Sequence, residues 1–160
     1  MKKSILIMAA FMVLTGTALA QSETEKETVL GVVQNLFNAM AEADSAAAAN
    51  LFMEGGHAFV ARAGQADQVS ISLSQHQQFL ESMAGWEQGS VVERMWDAEV
   101  MVQDNIAMAW TPYDLHVNGN FSHCGVNIFT LIKTGSGWKI ADITYSAKNQ
   151  GCSGPPDETS

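Results

Sequence analysis

The chain has 160 residues, with 17 acidic side chains against eight basic ones and a formal charge of −9. That length suits one domain built on one core. The acidic excess repels phosphate backbones and anionic lipid headgroups, which argues against nucleic acid and membrane surfaces as partners.

In chain order, Lys2 and Lys3 precede a short apolar run from Ile5 to Leu14, and Ala18-Leu19-Ala20 supplies a small-x-small cleavage pattern. These are the parts of an export signal. The apolar run is short for a membrane anchor, which is the alternative reading. The expectation is a signal peptide over residues 1–20, a mature chain beginning at Gln21, and a periplasmic or secreted protein without membrane contact. Loss of Lys2 and Lys3 leaves six basic residues against 17 acidic ones, a formal −11.

Ser22 and Glu25 have the spacing of a capping box, and Glu23, Glu25 and Glu27 suit the positive end of a helix. Val29, Val33, Leu36, Phe37 and Met40 recur at helical spacing, which predicts about five turns ending near Ala43. Asp44 is placed to cap a second helix from Ser45 to about Phe52, stopped by Gly55-Gly56. A strand is expected from His57 to Ala63 and a polar loop from Gly64 to Val69. A third helix follows from Ser74 to Met83, with Phe79, Leu80 and Met83 buried and His76 toward solvent. Arg62 is either a solvated cation or a charge at a pocket rim.

Val91 to Val102 reads as one long strand, with Glu93, Asp97 and Glu99 on a solvated face. Gln103-Asp104-Asn105 turns it into a strand from Ile106 to Val117. Asn118-Gly119 is a strong hairpin signal, because both central residues need positive φ. A simple register from that turn pairs His116 with Phe121, Asp114 with His123, and Trp110 with Asn127. Alternation then sets Trp110, Asp114, His116, His123 and Asn127 on one face. Pro112 weakens this assignment upstream, since proline inside a strand marks an edge or a bulge. Gly135-Ser136-Gly137 starts the last hairpin, in which Cys124 faces Ala147. From there the tail can bring Cys152 back to Cys124 as a disulfide; the alternative is two separate buried thiols. Residues 21–152 form the single domain, and the polar segment 153–160, with Pro155-Pro156, is expected to be disordered.

Helices followed by antiparallel strands specify an α+β fold, with a strongly curved sheet whose concave face the N-terminal helices cover. Trp138, Ile140, Leu131, Phe129 and Asn127 suit the covered side. Ile143, Tyr145, Val126, Ile128 and Thr130 fall on the other, which is also apolar, and so a homodimer through the sheet is expected.

Phe37-Asn-Ala-Met-x-x-x-Asp44, Trp110-Thr-Pro-Tyr-Asp-Leu-His116, Phe121-Ser-His-Cys-Gly125 and Gly137-Trp-Lys-Ile140 resemble the nuclear transport factor 2-like superfamily of cone-shaped, cystatin-like folds. More narrowly they resemble its exported bacterial branch, described as "putative lumazine-binding" or SnoaL-like. The resemblance spans about residues 24–152. It implies an apolar pocket inside the cone with a few convergent polar groups, among them an Asp or an Asp-His pair as general base. It does not choose an activity, because the superfamily holds isomerases, dehydratases, hydrolases, cyclases and plain binding proteins.

The function expected is binding of an apolar or ring-shaped small molecule, without cofactor. Asp114 and His123 form the central pair, and Trp110, His116, Asn127, Phe129 and Met95 line the pocket. The alternative is an isomerase-, dehydratase- or cyclase-type enzyme using Asp114 and His123 as base and partner. A structural Asp-His hydrogen bond is the plainer account of the same pair. Asp114, His116 and His123 also have the composition of a two-histidine, one-carboxylate triad, but no metal-ligand motif accompanies them, so no metal site is assigned.

Overall fold

The computed structural model describes residues 6–64 and 68–155, with side chains from Ser22 onward. Lys2 and Lys3, the centre of the 64–69 loop and the tail 156–160 lie outside the described residues. Helix α1 runs Leu6–Glu42. It is continuous through Ser22, so the predicted cap there is not used. Glu25 instead accepts from Lys133 Nζ at 2.6 Å and from Trp138 Nε1 at 2.8 Å. That contact pins α1 to the last hairpin. No helix among the described residues is long and apolar enough to cross a membrane.

The predicted stripe of α1 is the centre of the core. Val29, Val33, Leu36, Phe37 and Met40 are buried together with Phe129, Leu131, Trp138 and Ile140. Helix α2 is shorter than expected, Ser45–Ala49, and Asp44 caps it by accepting from Ala47 N at 2.8 Å. The glycine pair does not stop a helix. It lies inside strand β1, Phe52–Ala63, where the register to its neighbour shifts between Phe52 and His57. Gly55 takes φ +78°, a conformation that glycine adopts without strain.

Strand β2, Val69–Gln75, occupies what reads as loop and early helix, and pairs antiparallel with β1. Helix α3 is therefore His76–Met83. Gln75 N donates to Gln78 Oε1 at 3.1 Å, an amide version of the capping box. The long strand expected over 91–102 is two: β3, Val91–Met95, and β4, Glu99–Gln103. Both pair with β5, Ile106–Val117. The break between them faces Pro112, whose carbonyl accepts from Trp96 N at 3.3 Å. Asp97 there has φ +45°. Pro112 thus marks an interruption of the neighbouring strand, and no register shift occurs at Pro112 between β5 and β6.

Strands β6, Asn120–Thr134, and β7, Gly137–Ala147, complete a seven-stranded sheet of order β2-β1-β7-β6-β5-β3, with β4 also on β5. All pairs are antiparallel except β1 with β7. Helices α1 and α3 lie against its concave face and α2 packs on both of them, so the α+β, cystatin-like plan is the observed one. Cys124 and Cys152 are joined as a disulfide with Cα atoms 6.0 Å apart. Beside it, Cys124 bridges to Lys148 rather than to the expected Ala147.

Two register shifts decide which side chains look inward. In the β5–β6 hairpin, Val117 faces Asn120 and His116 faces Phe121, as the Asn-Gly turn dictates. Ser122 is then an extra residue, and Leu115 faces His123. In the β6–β7 hairpin, Ala141 is the extra residue: Leu131 faces Ile140, but Thr130 faces Asp142. A single inserted residue moves everything beyond it to the other face.

Candidate functional site

A cavity of about 320 Å³ lies between the helices and the concave face of the sheet. Its walls are mostly apolar, with Leu36, Phe37 and Met40 from α1, Phe79 from α3, and Leu115 and Phe129 from the sheet. Volume and lining suit a small molecule of one or two rings.

The polar groups in that wall are not the predicted set. The β3–β5 register places Val91, Glu93 and Met95 opposite Val117, Leu115 and Tyr113, so Glu93 points inward with them. Its Oε1 accepts from the Asn127 amide at 2.7 Å. Burial pushes the Glu93 carboxyl up to about 8, opposed by that hydrogen bond and aided by the charge of Asp114. At neutral pH it is a carboxylic acid able to donate one hydrogen bond.

Tyr113, Tyr145 and His123 stand nearby. Tyr113 OH donates to the Ser146 carbonyl at 2.9 Å. Its ring meets those of His123 and Tyr145 edge-on, at centroid distances of 5.8 and 6.3 Å. Burial raises the pKa of both tyrosines, and all three side chains border the cavity. Burial lowers the His123 pKa, and the charge of Arg62 lowers it further. His123 Nδ1 lies 3.0 Å from Ser122 Oγ. Both tyrosines fall on the far face in the simple registers, and the bulges at Ser122 and Ala141 explain why Tyr113 and Tyr145 instead face the cavity.

The structure thus splits the predicted cluster. His123, Asn127 and Phe129 line the cavity, whereas Trp110, Asp114 and His116 belong to the convex face. Asp114 does not face His123; it faces Cys124. Arg94 grips it with a two-pronged contact, Nε to Oδ1 at 2.9 Å and Nη2 to Oδ2 at 2.6 Å, and His116 Nε2 lies 3.5 Å from Oδ2. Burial would raise the Asp114 carboxyl, but Arg94 and His116 outweigh it and hold it below the ordinary range. A carboxylate so paired, behind the sheet, is not the base of this cavity. Met95 packs against the core beside Tyr113 instead of lining the cavity. With Asp114 and His116 on one face and His123 on the other, the triad composition has no common centre. Among the described residues no three His, Cys, Asp or Glu side chains are placed to hold a metal ion.

Besides the two tyrosines, Glu93 and His76 escaped the sequence reading. Glu93 sits between Val91 and Met95 on its side of the strand, and an acid with apolar neighbours at i−2 and i+2 is the signal that could have found it. His76 is buried rather than solvated, with its ring 4.1 Å from that of Phe52 and open to the cavity. Its glutamine neighbours hid it, because helix periodicity cannot be read over the first turn alone.

This architecture, a helix-covered cone with a small apolar cavity, agrees with a family model described as "Putative lumazine-binding", which matches residues 24–146. The chain belongs to that family. Within the wider nuclear transport factor 2-like group, it is similar to a protein of unknown function from Shewanella baltica OS155, with TM-score 0.59, 13% identity, and coverage of 79% of this chain and 96% of that one. It is also similar to a "putative dehydratase" from Streptomyces avermitilis, with TM-score 0.60, 18% identity, and coverage of 79% and 98%. A cystatin-like protein from Novosphingobium aromaticivorans matches with TM-score 0.60 at 15% identity, over 94% of each chain. These likenesses establish the fold shared by members of the family and its neighbours. No curated protein matches the chain.

Proposed function

We propose that the protein is an exported small-molecule-binding domain whose cavity takes an apolar, ring-shaped ligand against the Glu93–Asn127 pair. The observation that carries this reading is a 320 Å³ apolar cavity whose wall holds one carboxyl–amide pair. Such a wall rewards a flat ring and orients it by one polar edge. The family description makes lumazine, a fused bicycle with polar edges, the first compound to try. Calorimetry with lumazine and a panel of one- and two-ring compounds tests it. Binding is expected for at least one, weakened severalfold in Glu93→Gln, which can no longer donate from a hydroxyl. A panel in which nothing binds the folded wild type overturns the reading.

A second reading rests on the same carboxyl. A group that loses its proton near neutrality can serve as a general acid or base. In that reading Glu93→Gln retains ligand and loses turnover.

Two further expectations belong to this proposal. Export is supported by the sequence at residues 1–20 and by the Cys124–Cys152 disulfide, a bond suited to an oxidising compartment. A homodimer through the convex face is supported by the exposure there of Trp110 and Phe121, at 41% and 45%.

A further inference from the structure

His76 is the first residue of α3 and 4% exposed; the backbone of His57 lies beside its ring, but neither ring nitrogen completes a hydrogen bond of ordinary geometry among the described residues. Buried polar atoms are nearly always paired, so a buried imidazole met, among the described residues, only by one poorly aligned backbone group calls for a reason. Packing alone does not supply one. A phenylalanine would fill the same space beside Phe52 without leaving a donor and an acceptor unmet.

The fold makes specific room for this ring. A Cβ on Gly56 would lie 2.6 Å from His76 Nδ1 and Cε1, and 2.2 Å from the Ala141 carbonyl. Glycine at 56 is therefore what lets the imidazole enter between β1 and the cavity. Burial lowers its pKa, opposed by the backbone of His57 and by the charge of Asp142. A neutral imidazole offers one donor and one acceptor, and both can meet a hydroxyl, a carbonyl or a ring N–H.

Position along the sheet separates this ring from the carboxyl. His76 sits against Gly56 and Ala141, whereas Glu93 is bound to Asn127, which faces Tyr145. From Ala141 to Tyr145 strand β7 advances about 13 Å. The two polar points therefore belong to opposite ends of one apolar cavity.

We propose that His76 is a second polar anchor, and that the ligand is a flat, uncharged compound with a polar group at each end, one meeting Glu93–Asn127 and the other meeting the His76 imidazole. This rests on the reading of the cavity as a ring-binding site. It adds that a ligand polar at only one end is not what the site is built for.

The test compares 2-naphthol with 2,6-dihydroxynaphthalene, two-ring probes that differ by one remote hydroxyl. The wild type is expected to bind the diol about fivefold more tightly, the worth of one ordinary hydrogen bond. In His76→Phe the ratio falls to about twofold or less, the part that the diol's symmetry supplies. A wild type that binds both alike overturns the second anchor and leaves the cavity reading standing. So does a fivefold ratio that survives in His76→Phe. Failure of the diol to bind the wild type overturns the second anchor, and the cavity reading falls with it only when lumazine and the rest of the panel fail as well. Should His76→Phe not fold, ¹⁵N resonances of the wild-type imidazole serve instead. The diol is expected to move them and 2-naphthol to leave them in place; equal response to both overturns the proposal.

Discussion

Glu93 and Arg94 are consecutive residues of one short strand, and they belong to two different electrostatic worlds. Glu93 turns into the cavity, where its partner is a neutral amide and its carboxyl is pushed up to about 8. Arg94 turns to the convex face and holds Asp114 ionised, below the ordinary carboxylate range. Neither carboxyl is freely solvated: Asp114 is buried and Glu93 is part-buried in the cavity wall. What separates them, among the described residues, is a formal positive charge within hydrogen-bond reach of one and not of the other. A buried carboxyl next to a guanidinium is a structural tie, whereas one next to an amide keeps its proton and stays available to a ligand. The carboxyl that the proposed binding site uses is therefore on the inner side of the sheet, although the outer side carries the more conspicuous cluster.

The two carboxyls should respond to pH with opposite signs. Glu93 has a folded pKa above its unfolded value, so the folded state holds a proton that the unfolded chain has released. Its contribution is full below about pH 4.5 and declines as pH rises to about 8. Relative to wild type, Glu93→Gln is expected to gain on the order of 4 kcal/mol between pH 5 and pH 8, measured by urea unfolding at each pH. The difference between the two proteins isolates Glu93 from His76 and His123. Those histidines, with lowered pKa values, add stability above pH 6.5 that is lost on acidification. A flat difference would mean that Glu93 is ionised, and that the inner wall does not differ from the outer one.

Cutting the outer tie gives the next largest effect. Arg94→Leu leaves the Asp114 carboxylate buried without its fork and is expected to cost about 3 kcal/mol at pH 7, by denaturant midpoint. Adding Asp114→Leu should recover most of that loss, because an apolar pair needs no counter-charge. Ligand binding in the folded single variant is expected to persist, since neither residue borders the cavity. For Asp114 itself the stability is present above about pH 4 and is lost as pH falls through its lowered pKa.

Smaller still is Gly56→Ala. Its methyl meets a backbone carbonyl and the His76 ring, for about 2 kcal/mol of overpacking and a displaced imidazole. Loss of the diol preference without loss of 2-naphthol binding would place that displacement at the His76 end. Last comes Trp110→Ser on the convex face, expected to change the stability of the isolated chain by under about 1 kcal/mol. Its readout is the sedimentation coefficient. A wild-type dimer that the variant dissolves supports pairing through this face, and a monomeric wild type removes that expectation.

How far the sequence was legible follows from the range of each signal. The stripe from Val29 to Met40, the Asp44 cap and the Asn118-Gly119 turn rest on neighbours within a few residues, and all stand where the pattern put them. His116 opposite Phe121 is correct for the same reason, lying one pair from the turn. The error begins one residue later. Ser122 is inserted, and the Asp114–His123 pairing becomes Leu115–His123. Ala141 does the same to Ile143 and Tyr145. Glu93 was misassigned because its strand was read with Asp97, which lies in the break opposite Pro112, and with Glu99, which belongs to the strand beyond it.

By itself the sequence determined the α+β class, the two tight turns and the apolar face of the first helix, and its motifs carried the resemblance to the family to which the chain belongs. The class, turns and helix face depend on periodicity or on the conformational needs of single residues, and the family on a resemblance of motifs. Only the tertiary structure decided which carboxyl meets the cavity. That choice turns on one-residue insertions at Ser122 and Ala141, and on the packing that brings His76 and Gly56 together. A bulge leaves composition and alternation almost unchanged, yet it reverses the direction of every side chain after it.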